Sequence, residues 1–230
     1  ESQFNNLSAM YFSEHGKSTE AVKCYQRVLE IDPECAAVHN NLGLAFHKLR
    51  QFDAAIQSFR KAFSLLPSYA EAYYNLGITL NAMGELNAAV RSYQIALKLK
   101  PNYFNAHLNL GNTHSELGQL EKAKKNYKCA IKLQPNNEEA FNNLGVTYKE
   151  LGELDAAILN YKKSITINSA YELSYYNIAN IYKDTGKLTE AINNYDKALS
   201  IKPDYIEAHN NRLFTFNYLT NYDADFNLKE

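Results

Sequence analysis

A column of asparagines is the feature of this sequence that could do chemistry. Each lies two residues before a glycine or the residue in its place, and the column repeats every 34 residues: Asn41, Asn75, Asn109, Asn143, Asn177 and Asn211. A carboxamide offers both a donor and an acceptor, so it could pair with the C=O and N–H of another polypeptide without reading its side chains. Asparagine inside a helix costs roughly 0.5–0.7 kcal/mol relative to alanine, so the column needs a compensating role.

Two roles remain open from the residues alone. Each amide could bond to a neighbouring helix and stiffen the stack, or the column could form a ladder that binds a ligand. Packed helices lie roughly 8–10 Å apart and an extended chain advances about 3.3 Å per residue, so one rung would meet about every third ligand residue. We favour the ligand-binding ladder, and expect Asn109, Asn143 and Asn177 changed together to alanine to abolish peptide capture with nearly unchanged stability.

Further polar residues share the helix face of the column at offsets of −4, +3 and +7. The weaker candidates of this set are Asn105, Asn112, Asn180, Glu116, Glu150 and Asp184. A groove lined by amides and some acids should favour extended segments that are rich in Ser and Thr or carry Lys and Arg. The alternative for the acids is a solvated face without a ligand.

The 34-residue period extends to the whole chain and defines six full repeats. Proline, glycine, alanine and aromatic residues recur in register, as in Pro67, Gly77, Ala89 and Tyr93. The predicted repeats are 2–35, 36–69, 70–103, 104–137, 138–171 and 172–205, followed by 206–230 as a C-terminal helix and tail. Such a period is typical of solenoid architectures, because one repeat cannot bury its apolar face alone.

Each repeat reads as two antiparallel helices. In 70–103, apolar residues at helical spacing begin at Tyr73, and Gly84 closes the first helix because glycine adopts the left-handed conformation without a steric penalty. A second apolar face follows, and Pro101 ends it because proline has no N–H and clashes with the preceding turn. We therefore predict an all-α solenoid with a last first-type helix at 206–219.

These offsets resemble the tetratricopeptide repeat over residues 2–205, nearly nine-tenths of the chain. The resemblance implies a right-handed superhelix whose first helices line a concave groove that binds proteins or peptides. The slot where the family often has tryptophan holds other aromatic or imidazole rings here: His39, Tyr73, His107, Phe141, Tyr175 and His209. Chaperone-binding members bind a C-terminal carboxylate with a clamp of Lys and Arg in this groove. The column four residues before the asparagines has no Lys or Arg, so such a clamp is not expected here.

The asparagine ladder itself resembles that of O-linked N-acetylglucosamine transferases, in which it holds substrate polypeptides. The stretch HNNRLFTFNYLTNYDADF also resembles the junction where bacterial relatives pass from repeats into a glycosyltransferase domain. The resemblance implies the substrate-recognition region of a larger enzyme, and the chain, which begins Glu-Ser, looks like an excised fragment. The alternative is a stand-alone adaptor or assembly protein.

The C-terminal helix is unusually aromatic for a solvated end. Leu213 replaces the glycine, and Phe214, Phe216 and Tyr218 enlarge its apolar surface. A terminal repeat normally has a polar outer face. We expect this helix to pack on something else, with self-association as one outcome and an ordinary solvating helix as the alternative.

Composition and missing motifs limit the remaining functions. The formal net charge of −1 gives no basic excess for nucleic acid, and no apolar run is long enough for a membrane helix. Three scattered cysteines fit a reducing, cytoplasmic compartment rather than a disulfide framework. No phosphate-binding loop, metal motif or nucleophile–base pair is found, and His107 and His114 occupy packing positions. We therefore expect no cofactor, no metal and no enzymatic activity in this chain.

Overall fold

The computed structural model describes Phe12 and residues 15–227, with residues 220–227 as backbone only. This part of the chain is helical and contains no strand, which confirms the all-α class. The helices are α1 Ser18–Ile31, α2 Ala36–Lys48, α3 Phe52–Leu65, α4 Ala70–Ala82, α5 Leu86–Leu99, α6 Phe104–Glu116, α7 Leu120–Leu133, α8 Glu138–Glu150, α9 Leu154–Ile167, α10 Glu172–Asp184, α11 Leu188–Ile201 and α12 Ile206–Asn227.

The turn between the two helices of a repeat depends on one residue in the left-handed conformation. Gly84 has φ +80°, which glycine adopts without a Cβ clash. Arg50 replaces glycine at this position of its own repeat and adopts the same conformation, with φ +58°. The turn geometry is therefore kept even where the sequence departs from glycine.

The two helices of a repeat approach each other closely at the glycine of the first helix. A Cβ on Gly77 would lie 2.6 Å from Cε1 of Tyr93, and a Cβ on Gly145 would lie 2.6 Å from Cε1 of Tyr161. Tyr93 is almost fully buried, together with Ala89 of its own repeat and Leu110 of the next repeat. The glycine of the first helix and the aromatic residue of the second helix therefore pack closely against each other. The core continues from one repeat into the next.

The chain divides into two compact units, 1–118 and 119–230. Within the first unit, α2 packs on α3 and α4 on α5; within the second, α8 packs on α9 and α10 on α11. In both units the first helices of successive repeats also contact one another, as α2, α4 and α6 do, and as α8, α10 and α12 do. Each unit therefore has a face built by its first helices, which carries the asparagines.

Two predicted boundaries can be compared with these elements. The predicted repeat 104–137 is divided between the units, with α6 in the first and α7 in the second. The last helix runs to Asn227, beyond the 206–219 expected from the pattern. Most of the first helix of the predicted repeat 2–35 lies outside the described residues.

The slot that often holds tryptophan keeps a ring N–H donor in three repeats. Nε2 of His39, His107 and His209 lies 2.9, 3.0 and 2.8 Å from the carbonyl oxygen of the proline six residues earlier. A carbonyl only accepts, so the imidazole donates. In the repeat between the first two histidines, Tyr73 stacks on Phe63 with ring centroids 4.4 Å apart.

Candidate binding face on the first helices

The asparagine column of the first unit is hydrogen-bonded from repeat to repeat. Nδ2 of Asn75 donates to Oδ1 of Asn40 over 2.9 Å, and Nδ2 of Asn40 donates to Oδ1 of Asn41 over 3.3 Å. In the next repeat, Nδ2 of Asn109 donates to the hydroxyl of Tyr74 over 3.0 Å. These bonds tie α2 to α4 and α4 to α6.

The second unit repeats the arrangement. Nδ2 of Asn177 donates to Oδ1 of Asn142 over 3.0 Å, and Nδ2 of Asn142 donates to Oδ1 of Asn143 over 3.3 Å. Nδ2 of Asn211 donates to the hydroxyl of Tyr176 over 3.1 Å. The stacking role that the sequence left open is therefore present in the structure. Alanine at Asn109 or Asn177 removes one of these bonds, so the expectation of nearly unchanged stability no longer follows.

The partners of the column were missed by the sequence analysis. Each is the residue directly before the asparagine of the preceding repeat, 35 positions upstream of the donor: Asn40, Tyr74, Asn142 and Tyr176. The signal was present, because all four carry a side-chain oxygen that can accept. Periodicity did not reveal it, since this column is not uniform and reads Asn40, Tyr74, Leu108, Asn142 and Tyr176.

The side-chain oxygens of four asparagines of the column, unlike their nitrogens, are without a hydrogen-bond partner in the described part of the chain. Oδ1 of Asn75, Asn109, Asn177 and Asn211 receives no hydrogen bond from the residues that the structure describes. Asn75 is only 8% exposed, whereas the other three are half-buried. The side of a rung that is open to a ligand is therefore its acceptor.

A threonine four residues after the asparagine supports the same helix face. The hydroxyls of Thr79 and Thr113 donate to the main-chain oxygens of Asn75 and Asn109 over 3.0 and 2.8 Å. Each threonine also contacts the preceding repeat, because Nδ1 of His47 lies 3.0 Å from Oγ1 of Thr79 and Nδ2 of Asn81 donates to Oγ1 of Thr113. Since the Thr79 hydroxyl donates its own hydrogen elsewhere, the imidazole is the donor, and burial lowers the pKa of His47.

Three of the predicted residues meet in one cavity between α4 and α6. It has a volume of about 220 Å³, and it is lined by Ile78, Asn81, Tyr93, Asn109, Asn112, Thr113 and Glu116. Burial raises the pKa of the Tyr93 hydroxyl, with further contributions from Tyr74 and the carboxylate of Glu116. The phenol is therefore neutral and can donate or accept a hydrogen bond.

The other weaker candidates are not gathered in this way. Oδ1 of Asn180 accepts from the hydroxyl of Tyr195 over 2.6 Å and from Nδ2 of Asn211 over 3.1 Å, which gives it a structural role. Asp184 lies 3.6 Å from Nζ of Lys183. Asn105 and Glu150 are exposed. Among the predicted residues, Asn109, Asn112 and Glu116 thus line one cavity, whereas Asn180 and Asn211 are joined by a hydrogen bond.

A second cavity lies beside the last helix. It has a volume of about 350 Å³ and is lined by Lys183, Asp184, Gly186, Leu188, Phe214, Thr215 and Tyr218. Its lining contains two aromatic residues of α12. The exposed fractions of Leu213, Phe214, Phe216 and Tyr218 are 58%, 66%, 47% and 59%, so the apolar surface predicted for this helix is exposed.

The described helices also limit other kinds of site. None of them is both long and apolar enough to cross a bilayer. Within the same part of the chain, no three His, Cys, Asp or Glu side chains are grouped as metal ligands would be.

Antiparallel helix pairs at a constant period, with a polar column on their first helices, define an α-solenoid repeat protein. The TPR repeat model matches residues 11–49, 79–118, 114–152, 147–186 and 179–212, and the tetratricopeptide repeat model matches 36–69. The chain therefore belongs to the tetratricopeptide repeat family, and it is a scaffold of the kind that mediates protein interactions.

Solved structures support the same assignment. MamA is 28% identical, with a TM-score of 0.65, and the match covers 70% of this chain and 94% of MamA. YrrB, described as a TPR protein with an unusual peptide-binding site, is 23% identical over 81% of this chain and 96% of its own, with a TM-score of 0.68. The thermophilic TPR protein TTC0263 of Thermus thermophilus is 24% identical over 79% and 99%, with a TM-score of 0.61. The last two likenesses show the fold alone. No curated protein sequence matches the chain significantly.

Proposed function

We propose that this chain binds an extended polypeptide along its first helices, and that the carbonyl oxygens of the asparagine column accept hydrogen bonds from the ligand's main-chain N–H groups. The observation that carries the proposal is the state of Asn109. Its Nδ2 donates to Tyr74, whereas its Oδ1 has no partner among the described residues and the residue lines the cavity between α4 and α6. The nitrogen of this carboxamide is thus bonded within the protein, and its oxygen is open to a ligand.

This arrangement favours a backbone ligand for a physical reason. An internal hydrogen bond fixes the rotamer of the carboxamide, so little side-chain entropy is lost when its oxygen binds. Oδ1 of Asn177 and of Asn211 is open in the same way on successive first helices of the second unit, whereas Oδ1 of Asn41 and of Asn143 already accepts from Asn40 and Asn142. The open oxygens offer acceptors to a chain without secondary structure of its own. Main-chain recognition of this kind tolerates many ligand sequences.

The experiment must separate ligand binding from stacking, and the chain offers a matched pair of variants for this. Asn109→Ala removes both the inter-repeat bond and the open oxygen, whereas Tyr74→Phe removes only the inter-repeat bond. The probe is a fluorescein-labelled peptide of alternating serine and alanine with one central arginine, and its anisotropy is titrated with each variant. We expect Asn109→Ala to lose about tenfold in affinity, and Tyr74→Phe to lose clearly less, because it keeps the open oxygen and frees only its rotamer.

Equal losses in the two variants would show that the amide only holds the stack, and a parent protein that does not bind the peptide would contradict the proposal directly. Circular dichroism and urea unfolding of both variants control for folding.

We extend this proposal to the origin of the chain as the substrate-recognition region of an O-linked N-acetylglucosamine transferase-like enzyme. Its support is the sequence resemblance of the ladder and of residues 209–226. The next hundred or so codons of the reading frame test it, because a glycosyltransferase domain of ordinary size needs at least that length. A stop codon soon after Glu230 would leave the adaptor role.

A second candidate function is self-association through α12. The observation that favours it is the exposed apolar surface of Leu213, Phe214 and Phe216. Light scattering over a dilution series tests it, with Phe214 and Phe216 changed together to serine. Leu159→Ser is the matched control, since Leu159 is also exposed but lies on α9. A parent protein that remains monomeric at every concentration would remove this candidate.

A further inference from the structure

The cavity between α4 and α6 presents more unused acceptors than donors. Nδ2 of Asn109 donates to Tyr74, and Nδ2 of Asn81 donates to Oγ1 of Thr113 over 3.0 Å. The hydroxyl of Thr113 donates in turn to the main-chain oxygen of Asn109. In contrast, Oδ1 of Asn81 and of Asn109 accepts no hydrogen bond from a described residue. The amide nitrogens of Asn81 and Asn109 are thus engaged within the chain, whereas their carbonyl oxygens are open.

Tyr93 adds a hydroxyl to the same cavity. The residue is only 2% exposed, it lines the cavity, and its hydroxyl makes no hydrogen bond with the residues that the structure describes. A ligand in the cavity would be within reach of this hydroxyl, which can donate or accept a hydrogen bond.

Glu116 supplies the charge at this cavity. Its carboxylate is exposed, it lines the cavity, and it forms no ion pair with a described Lys, Arg or His. It lies close enough to Tyr93 to disfavour ionisation of the phenol. The cavity therefore combines one negative charge with at least three acceptor oxygens.

From this arrangement we infer that the cavity is a subsite for an arginine side chain of the bound polypeptide, so the inference rests on the proposed function. A guanidinium carries five N–H donors, no acceptor and a permanent positive charge, which matches the lining. The volume of about 220 Å³ is below the roughly 300–1,000 Å³ of small-molecule sites and suits a single side chain. Because Asn109 belongs to both features, the arginine would enter the cavity beside a bound main chain.

The equivalent position three repeats later, 102 residues further along the chain, has a different lining. There the residue equivalent to Ile78 is Asn180, and its Oδ1 accepts from the hydroxyl of Tyr195, the equivalent of Tyr93. The equivalent of Asn81 is Lys183, which lines the cavity beside α12. In that repeat the tyrosine is already satisfied, and Asp184 in the lining is paired with Lys183 at 3.6 Å, so no unpaired negative charge is offered. A cationic side chain is therefore not expected there.

The test compares two fluorescein-labelled peptides of alternating serine and alanine that differ only at the central residue, which is arginine in one and citrulline in the other. Citrulline keeps the shape of arginine and lacks its charge. We expect the arginine peptide to bind the parent protein at least about tenfold more tightly, as charge-assisted hydrogen bonds are stronger than neutral ones. Glu116→Gln should remove most of this preference, and Glu30→Gln, which makes the same charge change on α1, should retain it.

Ile78→Asn provides the second variant, because it copies the residue that satisfies Tyr195 and should close the subsite from within. Equal binding of the two peptides by the parent protein, or a preference that survives both Glu116→Gln and Ile78→Asn, would overturn the arginine subsite. If both peptides bind equally and Asn109→Ala weakens both more than Tyr74→Phe does, the proposed function stands without it. If neither peptide binds, the proposed function fails together with the subsite.

Discussion

Nδ2 of Asn75 donates to Oδ1 of Asn40 over 2.9 Å, and these two buried amides join the first helices of successive repeats. The column that the sequence presents as a ligand ladder is thus also a set of links between repeats. A carboxamide can serve both purposes because its nitrogen and its oxygen bond independently.

The link between Asn75 and Asn40 should be measurable as a coupling energy. Asn75→Ala leaves the amide of Asn40, which is 5% exposed, without its donor, and we expect a loss of about 1–3 kcal/mol in the free energy of unfolding. In a cycle with leucine, which has a similar shape, changing Asn40 and Asn75 together should cost much less than the sum of Asn40→Leu and Asn75→Leu. Urea unfolding of the parent, the two single leucine variants and the double variant measures the cycle. Additive losses would contradict a direct link.

Two tyrosines at equivalent positions should respond oppositely to removal of the hydroxyl. The hydroxyl of Tyr161 is buried without a hydrogen-bond partner among the described residues, whereas that of Tyr195 donates to Asn180. Tyr161→Phe should therefore raise the free energy of unfolding by about 1 kcal/mol, and Tyr195→Phe should lower it by a similar amount. Thermal unfolding compares the two. Changes of the same sign would show that the hydroxyls share one environment.

The left-handed turn position allows a stabilising change at Arg50. A residue other than glycine in this conformation costs about 1–2 kcal/mol of stability. Glycine itself lowers stability by roughly 0.5–1 kcal/mol, because it makes the unfolded chain more flexible. Arg50→Gly should therefore stabilise the protein by up to about 1 kcal/mol, and the reverse test, Gly84→Ala, should destabilise it by a similar amount. Urea unfolding measures both. A loss of stability in Arg50→Gly would show that contacts of the arginine, such as the one with the Phe52 ring at 5.7 Å, outweigh the strain.

Stability should fall on mild acidification, in part because of His47. Burial lowers the pKa of this imidazole from its ordinary value of 6.5, so the folded protein disfavours the proton that the unfolded chain takes up. The contribution of His47 is complete above that ordinary value and is lost as the pH falls through the lowered pKa. His47→Asn copies Asn81, which bonds to Thr113 as His47 does to Thr79. We expect the variant to lose less stability than the parent between about pH 7 and pH 5. Equal losses would exclude His47 as a source of the pH dependence.

Most of the fold could be predicted from the sequence, since it depends on local and periodic rules. Gly84 ends α4, the spacing of apolar residues separates the two helices of each repeat, and Gly77 has to be small opposite Tyr93. These constraints act within one repeat and are stated again every 34 residues, so they can be read without coordinates. The seventh first-type helix was also foreseen, although its end at Asn227 was not, because no glycine or proline marks it.

The division of labour within each asparagine was decided by the tertiary structure. The sequence by itself determined that Asn75, Asn109 and Asn177 share one helix face. It did not determine that their nitrogens are occupied, because the partners Asn40, Tyr74 and Asn142 belong to other repeats and are brought within hydrogen-bond distance only by helix packing. In the same way, Asn112 and Asn180 occupy equivalent sequence positions, yet Asn112 lines a cavity whereas Oδ1 of Asn180 accepts from Tyr195 and Asn211. Periodicity places side chains on a face, and packing decides which of their atoms remain open to a ligand.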